Sequence, residues 1–184
     1  MLTKYTVTVI ETIAANHGRS LTRESEYVSS FENDRLRATQ NPKKLFDTVE
    51  AAEEFMASLP SSEAHDDWAY TKSYVYVIEN IEYYYANQSG WSDMHPFEIV
   101  RVVSPKTIEV RQMDTERDPD FKPEFVAGGF AGHCTNQHKQ TWLYRSNPDN
   151  PVVRARLRKD GMYHSSYGRH ILSTAPHKFY DYNF

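Results

Sequence analysis

Cys134 follows His133 directly and precedes His138 by four residues. Zinc takes thiolate sulfur and imidazole nitrogen in sets of four, and a Cys and a His at that spacing can reach one ion. His164, His170 and His177 are the imidazoles that could complete the set. The same thiol beside a histidine also resembles a nucleophilic pair, which needs a base and a lowered thiol pKa. The chain has one cysteine and no paired C-x-x-C, so a polar strand start with a half-buried thiol explains the cluster as well. No metal ligand and no catalytic residue is assigned from it. The acids Asp114, Glu116, Asp118, Asp120 and Glu124 have the chemistry to hold Mg²⁺, but they pair with no lysine motif and read as a solvated loop.

A second group is Arg154-Ala155-Arg156-Leu157-Arg158-Lys159. On a strand, Val153, Ala155 and Leu157 point inward, and Arg154, Arg156 and Arg158 stand on one outer face about 7 Å apart. Guanidiniums at that spacing can follow the phosphates of a nucleic-acid backbone. A charged edge strand guarding against aggregation uses the same pattern. Arg101 and Arg111 are the candidates to extend the patch. A third group is acidic: Glu50, Glu53, Glu54, Asp66 and Asp67. No glycine-rich phosphate loop, G-x-S-x-G or HExxH occurs in the chain.

The elements that must position these groups follow from pattern. Residues 4–14 alternate apolar and polar side chains as a strand, and residues 27–31 allow a second. Residues 33–42 read as a solvated connection. Residues 46–59 form the best helix, capped by Asp47 or Thr48, with Val49, Ala52, Phe55, Met56 and Leu59 as its apolar stripe. Pro60 ends it, and residues 61–67 read as a polar loop. Residues 69–86 are β-rich, with about half of their tyrosines expected on the face away from the helix. A turn at Gly90-Trp91-Ser92-Asp93 leads to strands at residues 97–103 and 107–110, joined by Ser104-Pro105-Lys106. Residues 112–132 read as a long acidic loop, 133–145 as one strand, and 152–159 and 162–167 as a hairpin across Asp160-Gly161. Residues 169–173 add a short strand, and the aromatic tail 179–184 is expected to dock.

The expected fold class is therefore α+β. A small sheet-helix unit spans residues 1–87, and an SH3-like, mostly antiparallel β-barrel spans residues 88–184. Residues 1–87 hold 14 acids against 8 Lys/Arg, and the remainder 11 against 13, which favours two functional halves. A single cysteine fits a reducing cytosol. The absence of an apolar leader or spanning segment sets the expected location as the cytoplasm.

The Gly90-Trp91-Ser92-Asp93-x-x-Pro96 turn is followed by Phe97-Glu98-Ile99-Val100 and then Lys106-Thr107-Ile108-Glu109-Val110. Arg156-Leu157-Arg158-Lys159-Asp160-Gly161-Met162-Tyr163 comes later. In that order these motifs resemble a group of small bacteriophage and prophage proteins. The resemblance covers about residues 88–184 and implies no enzymatic role. The long acidic loop and the N-terminal half depart from the shorter relatives. By analogy of size and layout, the chain is also similar to anti-CRISPR inhibitors, particularly those directed at Cas9. The leading expectation is thus a non-enzymatic phage or prophage protein without cofactors. It would bind and inhibit a host defence nuclease, or its guide-RNA complex, in the host bacterial cytoplasm. Glu50, Glu53, Glu54, Asp66 and Asp67 would occupy a basic channel, and the tyrosine-rich strand would supply contact area. The alternative is a nucleic-acid-binding accessory module using Arg154, Arg156, Arg158 and Lys159. A third reading is a metal-dependent hydrolase around His133, Cys134 and His138. The aromatic sheet surfaces are compatible with a homodimer.

Overall fold

The structure, a computed structural model, describes residues 1–15, 20–22, 26–32, 35–39, 44–65, 70–128 and 131–183. The chain divides into two compact units, Thr3–Ile81 and Glu82–Phe184 with Met1–Leu2. Both are mostly antiparallel β-sheet, and the described residues contain one α-helix.

The first unit contains β1 (Leu2–Ala15), β2 (Ser20–Thr22), β3 (Glu26–Glu32), β4 (Arg35–Thr39), α1 (Val49–Ala57), β5 (Ser62–His65) and β6 (Tyr70–Tyr83). The sheet order is β4-β3-β1-β6-β5, with β2 paired to β1. Thr48 caps α1, its hydroxyl accepting from the Ala51 amide at 3.2 Å. Ala52 is fully buried, and Phe55, Met56 and Leu59 pack with it against Val7, Val9, Val28, Tyr74, Tyr76 and Ile78. The apolar stripe of the helix thus covers one face of the sheet. Lys4, nearly buried, is ion-paired with Asp47 just before the helix.

Three expectations change here. The connection at 33–42 contains β4, zipped to β3 through pairs such as Phe31↔Leu36 and Glu32↔Arg35. The polar loop at 61–67 contains β5, paired to β6 from Ser62↔Ser73 to His65↔Tyr70. Both lie at the ends of the sheet order, where backbone pairing suffices and no apolar face is required. On β6, Tyr74 and Tyr76 belong to the helix-covered core, while Val75 and Val77 are exposed on the other face. A broad tyrosine contact surface is therefore absent at these positions.

The second unit contains β7 (Tyr85–Ser89), β8 (Met94–His95), β9 (Phe97–Ser104), β10 (Thr107–Gln112), β11 (Asp114–Arg117), β12 (Phe125–Gly128), β13 (Ala131–Cys134), β14 (Trp142–Arg145), β15 (Val152–Leu157), β16 (Tyr163–Ser165) and β17 (Gly168–Ser173). The order β17-β16-β15-β10-β9-β7 closes on itself through β17–β7 pairing, giving a six-stranded barrel, with β8 added on β7. Closure leaves these six strands no free edge along that ring. Phe97, Ile99, Ile108, Val110, Ala155, Tyr163 and His170 form its buried interior. The hairpin from β15 to β16 turns at Gly161, whose φ of 77° suits glycine.

The region read as a loop at 112–132 instead supplies β11 and β12. The strand expected over 133–145 is broken into β13, a 3₁₀ turn at Gln137–Lys139, and β14. β11 pairs with β14 and β12 with β13, making two short ribbons outside the barrel ring. Phe125–Gly128 is exposed throughout, so β12 has no buried face to impose apolar alternation. The tail docks as expected. The Phe179 amide donates to the Met94 carbonyl at 3.0 Å, and the Asn183 side chain bonds both the amide and the carbonyl of Cys134, at 2.7 and 3.0 Å.

Candidate nucleic-acid interface

The outer wall of the barrel gathers cations that are scattered in sequence. On β15, Val153, Ala155 and Leu157 turn inward, and Arg154 and Arg156 are exposed, as the alternation requires. Strand register sets their neighbours. Arg156 lies opposite Thr107 on β10 and His164 on β16, and His164 lies opposite Arg169 on β17. Directly opposed residues share a face, so Arg156, His164 and Arg169 form one row across three adjacent strands. At about 4.8 Å per strand, the row places the Arg156 and Arg169 backbones about 10 Å apart. Neither arginine makes an ion pair among the described residues; Arg169 donates to the Ser89 hydroxyl at 3.1 Å.

The second row reads Arg101, Glu109, Arg154 across β9, β10 and β15. Both guanidiniums donate to Glu109. Arg101 does so through two bonds at 2.9 and 3.0 Å, and Arg154 through one at 3.1 Å. These bonds, that of Arg101 foremost, hold the Glu109 carboxyl below the usual range. Arg154 is therefore partly neutralised, in contrast to Arg156. Arg111 does not extend the patch: it is bound to Glu98 at 2.8 Å with its side chain only 18% exposed.

At one end of the wall, the Leu157 amide donates to the Lys106 carbonyl at 2.9 Å, which sets the β9–β10 turn beside the β15–β16 turn. Lys106, Arg158 and Lys159, all exposed, come together there. Asp160 is the acid in this turn. It accepts from the Met162 amide at 3.1 Å and meets His164 Nε2 at 2.7 Å, and these contacts depress its pKa.

The other sequence candidates are not brought together in this way. Cys134 is 2% exposed, and its thiol donates to Asn136 Oδ1 at 3.4 Å. No group of three or more His, Cys, Asp or Glu that could hold a metal converges among the described residues. Glu50, Glu53 and Glu54 are exposed on the outer side of α1 and make no ion pair among the described residues. Asp66 and Asp67 lie outside the described residues.

One histidine has a role that spacing did not suggest. His170 is buried, its Nδ1 donates to the Ala86 carbonyl at 2.9 Å, and its Nε2 faces Ser165 Oγ at 2.7 Å. A carbonyl only accepts, so Nδ1 carries the proton and Nε2 accepts from the hydroxyl in the neutral ring. Burial pushes the His170 pKa down. Ser165 also accepts the Tyr167 amide at 3.0 Å, and the group closes the β16–β17 turn. Lys106, His164 and Arg169 are the wall residues missed in the sequence. Only the ring order of the strands reveals them, because Arg169 on β17 is 13 residues beyond Arg156 in the chain.

No helix among the described residues is long and apolar enough to cross a membrane. In comparisons with known proteins, no family model matches the chain, and neither a curated protein nor a solved structure does so.

Proposed function

We propose that the protein is a non-enzymatic nucleic-acid-binding module of the cytoplasm, composed of a small α+β unit and an SH3-like barrel. The barrel wall lies along a phosphate backbone, and Arg156, Arg158, Lys159 and Arg169 supply the contacts. The supporting observation is the row Arg156, His164, Arg169 on neighbouring strands, with both arginines free of carboxylate partners among the described residues. Such a surface binds through counterion release, so affinity falls steeply with salt and shows little sequence preference. Fluorescence anisotropy with a labelled duplex across a salt series tests it. Arg156→Ala/Arg169→Ala should flatten the log K against log salt plot by about 0.9 per lost contact. An unchanged slope would sink the reading.

A second reading is favoured by the exposed acids of α1. Glu50, Glu53 and Glu54 stand together on the solvent side of the helix and can mimic a run of phosphates. On this reading, the chain is a phage or prophage inhibitor that occupies the nucleic-acid channel of a host defence nuclease, in the manner of an anti-CRISPR protein against Cas9. Glu50→Lys/Glu53→Lys/Glu54→Lys should then abolish inhibition of cleavage. Retained inhibition at unchanged concentration would refute it.

A further inference from the structure

The C-terminal tail crosses one face of the β11–β14 ribbon and leaves a cleft of about 320 Å³ lined by Arg117, Trp142, Tyr180 and Tyr182. Its walls are rigid. The Gln140 side chain binds both Tyr180 backbone groups, its Oε1 accepting the amide at 2.8 Å and its Nε2 donating to the carbonyl at 3.0 Å. The same Oε1 accepts the Trp142 indole N–H at 2.9 Å. One amide thus fixes two of the aromatic residues against each other. Gln137 Oε1 accepts the Tyr182 amide at 2.9 Å, and the Tyr180 and Tyr182 rings meet at 4.9 Å and 76°.

The polar groups of the cleft are unspent. Neither tyrosine hydroxyl has a hydrogen-bond partner, and Arg117 has no ion pair, among the described residues. Arg117 sits directly opposite Trp142 in the ribbon, so its guanidinium projects from the same face as the indole. Fixed aromatic faces accept a planar ring with little loss of side-chain freedom. An unpaired guanidinium at the rim selects an anion attached to that ring and disfavours a cationic ligand. The volume is at the small end of ligand sites, which run from about 300 to 1,000 Å³.

We propose that this cleft binds a nucleobase together with its phosphate: the base stacks on Trp142 and Tyr180, and Arg117 takes the phosphate. The site goes beyond the barrel wall and uses none of its residues. The ligand is either a free nucleotide or a nucleotide of a single strand, and the same contacts serve both.

The experiment uses the full chain carrying Trp68→Phe and Trp91→Phe, which leaves Trp142 as its only tryptophan. Its emission is titrated with AMP, with adenosine and with a short single-stranded oligonucleotide. Saturable quenching is expected, about tenfold weaker in affinity for Tyr180→Ala and retained by Tyr180→Phe, which controls for folding. Arg117→Gln should weaken AMP binding and leave adenosine unaffected. Tighter binding of the oligonucleotide identifies a strand as the source, and equal binding identifies the free nucleotide. No quenching by either phosphate ligand, or quenching unchanged in Tyr180→Ala, overturns the proposal. Duplex anisotropy on the same variants keeps the two ideas apart. Arg156→Ala/Arg169→Ala acts on the duplex alone, and Tyr180→Ala on the quenching alone.

Discussion

Replacing Glu109 by glutamine should strengthen binding to a nucleic-acid backbone. Glu109 accepts from both Arg101 and Arg154, so two guanidiniums on the barrel wall share one carboxylate. The glutamine has almost the same shape and can still accept one of these bonds, but the negative charge is gone. One or both arginines then become available to phosphates. Each new contact adds about 0.9 to the salt slope on duplex DNA, which at about 0.1 M salt is about eightfold in affinity. One to two contacts give a gain of about eight- to sixtyfold. Arg101 and Arg154 are themselves 62% and 59% exposed, so their pairing with Glu109 is a surface contact and the fold should survive its loss. The assay is anisotropy of a labelled duplex at four or more salt concentrations, with near-ultraviolet circular dichroism to confirm an intact barrel. Unchanged or weakened binding by a folded Glu109→Gln protein would show that this wall does not face the phosphates.

Three further outcomes follow from local geometry. Thr48→Ala removes the cap of α1 and should cost about 1 kcal/mol in urea unfolding, with Thr48→Ser restoring most of it. Asn183→Ala leaves the amide and carbonyl of buried Cys134 without their tail partner. It should destabilise the second unit by about 1 kcal/mol and raise hydrogen exchange at Cys134. His170 has a folded pKa below its ordinary 6.5, so its stabilising contribution is complete above that value and is lost as pH falls towards the depressed one. Urea midpoints should therefore drop on acidification. The excess slope, at most about 1.4 kcal/mol per pH unit, should disappear in His170→Asn.

Elements with a buried face were legible in the sequence, and elements without one were not. β1, α1, β9, β10 and β15 each set an apolar stripe against a core, so their periodicity is visible in the order of amino acids alone. β4, β5, β11 and β12 make pairs through their backbones, and none sets a visible apolar stripe in the order of its residues. Their composition is that of loops. The docked tail was legible from its aromatic content, whereas the means of docking was not. Gln137, Gln140 and Asn183 act as substitutes for strand backbone, and an isolated glutamine carries no signal of that use.

The wall itself shows why a strand pattern finds one arginine row and misses the rest. On β9 an unbroken alternation from Phe97 and Ile99 would send Arg101 into the barrel with them. Register shifts in the β9–β10 pairing intervene: Val110 pairs with Ile99, but Glu109 pairs with Arg101, passing over Val100. The bulge turns Arg101 outward, where it reaches Glu109, and leaves Val100 exposed. In this sequence the bulge therefore decides whether the neighbouring carboxylate is shared by two guanidiniums or left to one. The net charge presented beside Arg156 depends on that bulge as much as on composition. Removing Val100 would take out the extra residue and set Arg101 directly after Ile99 in a regular ladder, still on the outer face opposite Glu109. The shortened chain should therefore still close its barrel with both guanidiniums on Glu109, and loss of the near-ultraviolet circular dichroism signal in that variant would refute this account of the bulge.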